Sequence, residues 1–189
     1  NLGRMFGFAY GEKENGAVFS HMTVMYANAL YQRGFVQEGY KALQTLAKTA
    51  MDFEVSRIYP GIPEYFNGSG RGMYHYLTGA ASWYMLTMVT EVFGVHGQTG
   101  DMVIRPKLLK EQFDTDGKAE IQLSFAQKDF HVIFKNPLGL SFGEYAVIRA
   151  YYNGNEMKIS VDSAVLDRKI IDALPDGIQK IEIELGKIL

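Results

Sequence analysis

The hydrophobic period of this chain changes once, near Gly100, and that change limits the fold more than any other feature. Up to about residue 100 the apolar residues recur at helical spacing, and beyond it they alternate with a period of two. Helices followed by strands, without interleaving, predict an α+β fold or two segregated domains. Phe19, Met22, Val24, Met25, Ala27, Ala29 and Leu30 make a nearly all-round apolar helix that stops at Gly34. A second helix is predicted over 36–51, with Tyr40, Leu43, Leu46 and Ala47 inward and Lys41, Gln44 and Lys48 in water. Its short link to the first makes the two antiparallel neighbours. A Gly- and Pro-bearing loop then covers 57–72. A third helix is expected from about Ala80 to Phe93, closed by Gly94, apolar on most sides and therefore buried.

In the second half, strands are predicted over 102–105, 119–125, 130–134, 145–152, 156–161 and 178–185, with a short helix at 166–174. Asn153-Gly154-Asn155 between alternating runs is a hairpin signal. Asp114-Thr115-Asp116-Gly117 resembles the opening of a calcium loop but lacks the rest of it, so no metal is expected there. The expected organisation is a helical segment over 1–98 and an antiparallel β-sandwich over 99–189, with the boundary between Gly94 and Asp101.

Composition narrows the function classes. A net charge of -2 offers no footprint for nucleic acid or an anionic membrane surface. The absence of cysteine excludes disulfides, thiolate catalysis and cysteine-based metal sites, and fits a cytoplasmic setting. No apolar run reaches about 18 residues, so no membrane-spanning helix is expected. The chain opens on Asn1-Leu2-Gly3-Arg4, which resembles neither a signal nor a transit peptide, and it is expected to begin inside a longer protein. Its 12 Tyr and 12 Phe suit either an aromatic core or a cleft that stacks on sugar rings, and composition does not separate these.

Two stretches carry the candidate chemistry. Glu14-Asn15-Gly16-Ala17-Val18-Phe19-Ser20-His21 enters the first helix, and Tyr76-Leu77-Thr78-Gly79-Ala80-Ala81-Ser82-Trp83 enters the third. Each sets polar groups at the mouth of an apolar helix, where backbone N–H groups and the helix dipole favour an anion. His21 reads either as a core histidine or as an anion ligand, and Thr78-Gly79 either as a helix cap with a small packing residue or as an oxyanion cradle. Glu64 lies in the aromatic, partly dry setting of Pro63-Glu64-Tyr65-Phe66. Gly68-Ser69-Gly70-Arg71-Gly72 lacks the features of a dinucleotide loop or P-loop, though Arg71 could reach an anion or a sugar hydroxyl. There is no Gly-x-Ser-x-Gly. His75, His96 and His131 stand alone and suggest no role.

At these residues the chain resembles glycoside hydrolase family 94, the cellobiose phosphorylase-like enzymes. The likeness rests on Glu-Asn-Gly-x-x-x-x-His at Glu14 to His21 and on Leu-Thr-Gly-x-Ala-Ser-Trp at Leu77 to Trp83. Tyr59-Pro60-Gly61-Ile62-Pro63-Glu64-Tyr65 and Gly70-Arg71-Gly72-Met73 look like its acceptor-side loops. Gly100 to Lys107 looks like its linker into a C-terminal sheet. The resemblance covers about residues 4–140. It implies the terminal helices of an (α/α)6 barrel followed by a C-terminal β-sandwich. It also implies inverting phosphorolysis of a β-linked glucoside to α-glucose 1-phosphate, with inorganic phosphate as co-substrate and no other cofactor.

By the same likeness, His21, Thr78 and Gly79 match phosphate-binding positions. Lys13 and Glu14 match sugar-contacting ones, and Glu64 and Arg71 border the acceptor subsite. The family's general acid is an Asp upstream of the Glu-Asn-Gly segment. None of the 13 residues before Glu14 is Asp, so no catalytic residue is expected within this chain. The expected partners are an oligosaccharide, phosphate, the missing N-terminal part of the same protein and further copies of it. Arg4 hints at an unusual acceptor. The rivals are a non-catalytic carbohydrate-binding or interaction module and a helical-barrel hydrolase that uses water in place of phosphate.

Overall fold

The computed structural model describes residues 3–58, 61–75 and 79–188 as two compact units, Asn1–Thr87 and Met88–Leu189, the first mainly helical and the second mainly of β-sheet. The fold class is α+β. In the first unit a two-residue strand β1 (Val18–Phe19) leads into α1 (Ser20–Gln32) and α2 (Val36–Met51). Between them Gly34, with φ +82, makes the turn. α2 occupies the span its periodicity predicts. Leu43, Leu46 and Ala50 are buried, Lys41 and Lys48 are exposed, and Gln44 is half-buried with its amide donating to the Tyr40 hydroxyl. A single turn α3 (Phe53–Ser56) follows, capped by the Asp52 carboxylate.

The expected loop over 57–72 contains two more strands, β2 (Tyr65–Phe66) and β3 (Gly72–Met73). β1, β2 and β3 form a small antiparallel sheet in that order. Two-residue strands flanked by Gly and Pro are too short to show a period, which is why the pattern concealed them.

The third helix differs from expectation in extent and burial. It is α-helical only over α4 (Gly79–Thr87), and Met88–Val92 forms a π-helical turn. Among the described residues of α4, Ala80 and Thr87 are buried, while Met85 and Leu86 are 63% and 48% exposed. α1 behaves alike. It packs Val24, Ala27 and Tyr31 inward against α2 and α4, yet Met22, Met25 and Tyr26 lie on an uncovered face. An all-round apolar helix is covered only where neighbours exist, and this unit supplies them on one side.

In the second unit, β4 (Val95–Gln98) and β5 (Asp101–Ile104) form an antiparallel hairpin. β6 (Lys118–Phe125) and β7 (Lys128–Lys135) form another, as do β8 (Tyr145–Tyr152) and β9 (Asn155–Glu156). The latter turns on Asn153 and Gly154, both at positive φ, as its Asn-Gly signal predicts. The strand expected at 156–161 is split into β9 and β10 (Lys158–Ser160), and β11 (Ser163–Leu166) takes the start of the expected helix. That helix shortens to α5 (Arg168–Ala173). β12 (Ile178–Lys187) completes the set.

These strands build a four-stranded sheet, β10-β11-β5-β4, and a five-stranded sheet, β6-β7-β12-β8-β9. β8 also contacts β10 and β11 of the other sheet. One expectation is corrected here: β12 runs parallel to β7, so the larger sheet is mixed. Alternation along a strand records which face is buried and says nothing of the direction of its neighbour.

The core follows that alternation. Phe130, Val132 and Phe134 of β7 lie in register with the buried residues of β12, Ile181 and Ile183 among them. On the opposite face Glu182 accepts from Lys135 at 2.7 Å and from Lys180 at 3.2 Å. The turn at 114–117 is internally satisfied: the Asp114 carboxylate accepts from the amides of Asp116 and Lys118. Among the described residues no group of His, Asp and Glu is arranged to hold a metal, and no helix is long and apolar enough to cross a membrane.

Two stability outcomes follow from this packing. The buried Tyr145 hydroxyl accepts from Leu108 N at 2.7 Å and donates toward the carbonyls of Pro106 and Leu108, and burial pushes its phenol up. Tyr145→Phe leaves the Leu108 amide without its acceptor and is expected to cost about 1–3 kcal/mol in urea unfolding. On the sheet face, the Lys135 ammonium holds the Glu182 carboxyl below the usual carboxylate range, and Glu182 raises Lys135. The stabilisation from Glu182 is therefore present above its unfolded pKa and lost as pH falls through its lowered folded value. Because the pair is partly exposed, Glu182→Gln is expected to lower stability by about 0.5–1 kcal/mol at neutral pH. That difference should fade when unfolding is repeated well below about pH 4.3.

Candidate functional site

The small sheet of the first unit gathers the candidate residues. Val18 and Phe19 pair with Phe66 and Tyr65, and the Ser20 amide donates to the Glu64 carbonyl at 2.9 Å. The entry to α1 is thereby fixed against the strand that follows Glu64. Phe19 stands at the cap position of α1 and offers no side-chain cap, so the first turn relies on that backbone bond.

His21 and Gly79, far apart in sequence, lie together. A Cβ on Gly79 would come within 2.6 Å of His21 Cε1, so the imidazole rests against the first residue of α4, and its ring centroid is 5.8 Å from that of Trp83. Among the described residues, the buried His21 Nε2 and the neighbouring Ser20 Oγ meet no hydrogen-bond partner. A buried polar atom without a partner costs about 1–3 kcal/mol, so a water or a ligand group is expected to satisfy these two. Thr78 lies outside the described residues.

Lys13 and Glu64 are also brought together. Lys13 adopts φ +43 in a turn closed by hydrogen bonds from Gly11 N to Asn15 O and from Asn15 N to Glu12 O. Its ammonium lies 3.5 Å from Glu64 Oε2 and 4.0 Å from the ring centroid of Tyr74. Both side chains are about three-quarters buried, at 22% and 26% exposure. This agrees with the dry, aromatic setting expected for Glu64. Glu14 points elsewhere: its carboxylate is 3.6 Å from Arg4, and both are well exposed. Arg71 is exposed, at the end of a turn in which Asn67 Oδ1 accepts from Ser69 N, Ser69 Oγ and Arg71 N.

Sequence reading missed two members of this cluster. Tyr65 is 2% exposed, and its hydroxyl donates to Glu12 Oε2 at 2.9 Å. Burial, and then this bond to the carboxylate, push the phenol up to about 12. Glu12 had no signal of its own, being one Glu in a polar turn. The period-two relation of Tyr65 and Asn67 around Phe66 could have shown that both face one partner.

Along α1, a groove of about 560 Å³ runs past Lys13, Glu14, Phe19 and Met22 to Tyr26. A second groove of about 550 Å³ lies between α1, α2 and the 66–70 turn. The arrangement thus offers an imidazole nitrogen against a helix start, and beside β2 a cation, two carboxylates and two tyrosines.

The contact between His21 and Gly79 is directly testable. Gly79→Ala forces the imidazole to move. The expected outcome is a clear change in the His21 ring resonances by NMR, with a stability cost of about 1 kcal/mol, at the low end for overpacking because the ring can rotate.

No protein-family model matches the chain. It is similar to a cellobionic acid phosphorylase of Neurospora crassa, 27% identical over 122 residues. The match takes in 57% of this chain and 15% of that protein, so the chain spans a small part of its relative's length. This distant, partial likeness relates the chain to phosphorylase-like proteins of carbohydrate metabolism at a coarse level.

Proposed function

We propose that this chain is a C-terminal segment of an inverting glycoside phosphorylase of the family 94 type, a cytoplasmic enzyme that transfers a β-linked glucosyl group to phosphate as α-glucose 1-phosphate. The observation that carries the reading is His21 Nε2, buried and without a partner among the described residues, set against Gly79 at the start of α4. Phosphate is the ligand such a place suits, because an imidazole N–H and helix-start amides both donate to an anion. The likeness to the Neurospora phosphorylase supports the same reading from an independent side.

In this scheme one acid protonates the leaving oxygen while phosphate attacks the anomeric carbon from the opposite face. The acid belongs to a part of the protein upstream of Asn1. His21, Thr78 and Gly79 hold the phosphate near the oxocarbenium-like centre, where fixed donors stabilise charge as it shifts. Lys13 and Glu14 contact the sugar, and Glu64 and Arg71 border the acceptor. No cofactor takes part. The exposed faces of α1 and α4 are where the remaining helices of an (α/α)6 barrel pack, and the two sheets of the second unit form a β-sandwich. Further copies of the protein complete a homo-oligomer.

In the full-length protein, His21→Ala and Thr78→Ala are each expected to cost on the order of 3 kcal/mol of transition-state stabilisation, expressed in the phosphate dependence. Glu64→Ala should instead alter acceptor preference. Steady-state kinetics with phosphate and disaccharide varied separately distinguish the two. If the histidine and threonine variants lose stability alone, both residues return to structural roles. The 189-residue chain by itself should release no glucose 1-phosphate from a β-glucobiose, since protonation of the leaving group supplies about 10²–10⁴-fold and its acid lies elsewhere.

A further inference from the structure

We propose that Glu12 is the positioning residue of the sugar-binding corner, holding Lys13, Glu64 and Arg71 in place through Tyr65 and Asn67. This rests on the phosphorylase reading above and deepens it.

Tyr65 is almost fully buried, so its hydroxyl must find a partner inside the protein, and Glu12 supplies it at 2.9 Å. The other oxygen of the same carboxylate lies 3.5 Å from Asn67 Nδ2, a long contact that favours the amide orientation its three bonds into Oδ1 require. With Nδ2 toward Glu12, Asn67 Oδ1 is left to accept from Ser69 and Arg71, which shapes the turn that presents Arg71. One carboxylate therefore orients both ends of the segment 65–71.

Glu12 also acts on its own neighbour. Lys13 has a backbone φ of +43, a conformation unfavourable for a non-glycine residue that persists only where the surroundings impose it. Anchoring Glu12 to β2 fixes the preceding residue of that turn, and the Lys13 side chain is then delivered to Glu64 and the face of Tyr74. The Tyr65 ring, 5.8 Å from Tyr74 and 5.5 Å from Phe19, backs the same corner. Among the described residues the Glu12 carboxylate meets Tyr65 and Asn67 and makes no hydrogen bond or ion pair with His21 or Gly79, so its influence should fall on the sugar and spare the phosphate.

The test has two arms. In the 189-residue chain, hydrogen exchange of the Ser69 and Arg71 amides is compared between wild type, Glu12→Gln and Glu12→Ala. Protection should fall several-fold in Glu12→Ala, less in Glu12→Gln, which keeps one acceptor oxygen, and should be unchanged in α2. In the full-length enzyme run in the synthetic direction, Glu12→Ala and Tyr65→Phe should each raise the acceptor KM about 10-fold, with the KM for glucose 1-phosphate within about twofold of wild type. Partial recovery of the acceptor KM in Glu12→Gln is expected. Unchanged exchange at Ser69 and Arg71, or equal losses for acceptor and glucose 1-phosphate, overturns the role of Glu12. A wild-type enzyme with no phosphate-dependent activity overturns the phosphorylase reading itself, whatever the exchange arm gives.

Discussion

The first unit is organised by very few backbone hydrogen bonds: the pairing of Val18 and Phe19 with Phe66 and Tyr65, extended by the Ser20 amide on the Glu64 carbonyl. Everything assigned to sugar or phosphate depends on it. It sets where α1 begins, and so where His21, its second residue, lies. It sets the direction in which Glu64 and Tyr65 leave the strand, and so whether Lys13 meets a carboxylate or water. Bonds of this kind contribute about 1 kcal/mol each in net terms, so the geometry survives through mutual support, with aromatic rings packed around the sheet.

A second tight constraint lies at Gly94, where the second unit begins its strands. A Cβ there would stand 1.8 Å from the Arg105 carbonyl oxygen, and φ is +69. Only glycine allows the chain to lie this close to β5, where the Arg105 amide donates back to Gly94 O at 2.9 Å. The half-buried ion pair of Lys107 with Glu91, at 2.7 Å, joins the π-helical turn to the segment just after β5. The π geometry adds a residue to the turn, which is one way for a helix ending so close to a hairpin to keep Val92 inward and Glu91 beside Lys107.

How much of this was legible depends on how long a pattern each element repeats. α2 was read to the residue because sixteen positions carry one helical period; β8 alternates imperfectly, but its eight residues are apolar or aromatic save Arg149 and end at the Asn153-Gly154 turn, so its length made it visible. β6, β7 and β12 were found within two residues at each end for the same reason. The strands β1, β2 and β3 were invisible because two residues cannot display a period. β4 was lost because Gly97 and His96 break the apolar alternation, and β11 because it is only four residues long and its last, Leu166, was read as the start of the helix over 166–174. Burial of α4 was misjudged because composition states what a helix can cover and not what is present to cover it. In the candidate site, the motif spacing drew attention to both His21 and Gly79, and the fold brings them into contact. Glu12 was not legible, since its role arises only from the pairing that turns Tyr65 and Asn67 toward it.

The parallel pairing of β12 with β7 has a consequence for how the second unit comes into being. β12 follows every other described strand of the unit in sequence, yet it lies at the centre of the five-stranded sheet, bonded on one side to β7 and on the other to β8. Until residues 178–187 have emerged from the ribosome, β7 and β8 each present an unpaired edge, and Phe130, Val132 and Phe134, paired with β6 on one side, lack their β12 neighbours Gln179, Ile181 and Ile183 on the other. The two early hairpins can form locally as they emerge, but the sheet closes only across about fifty residues of intervening chain. The nascent unit therefore waits with open edges and an uncovered core, which is the state most exposed to misassembly and to capture by chaperones.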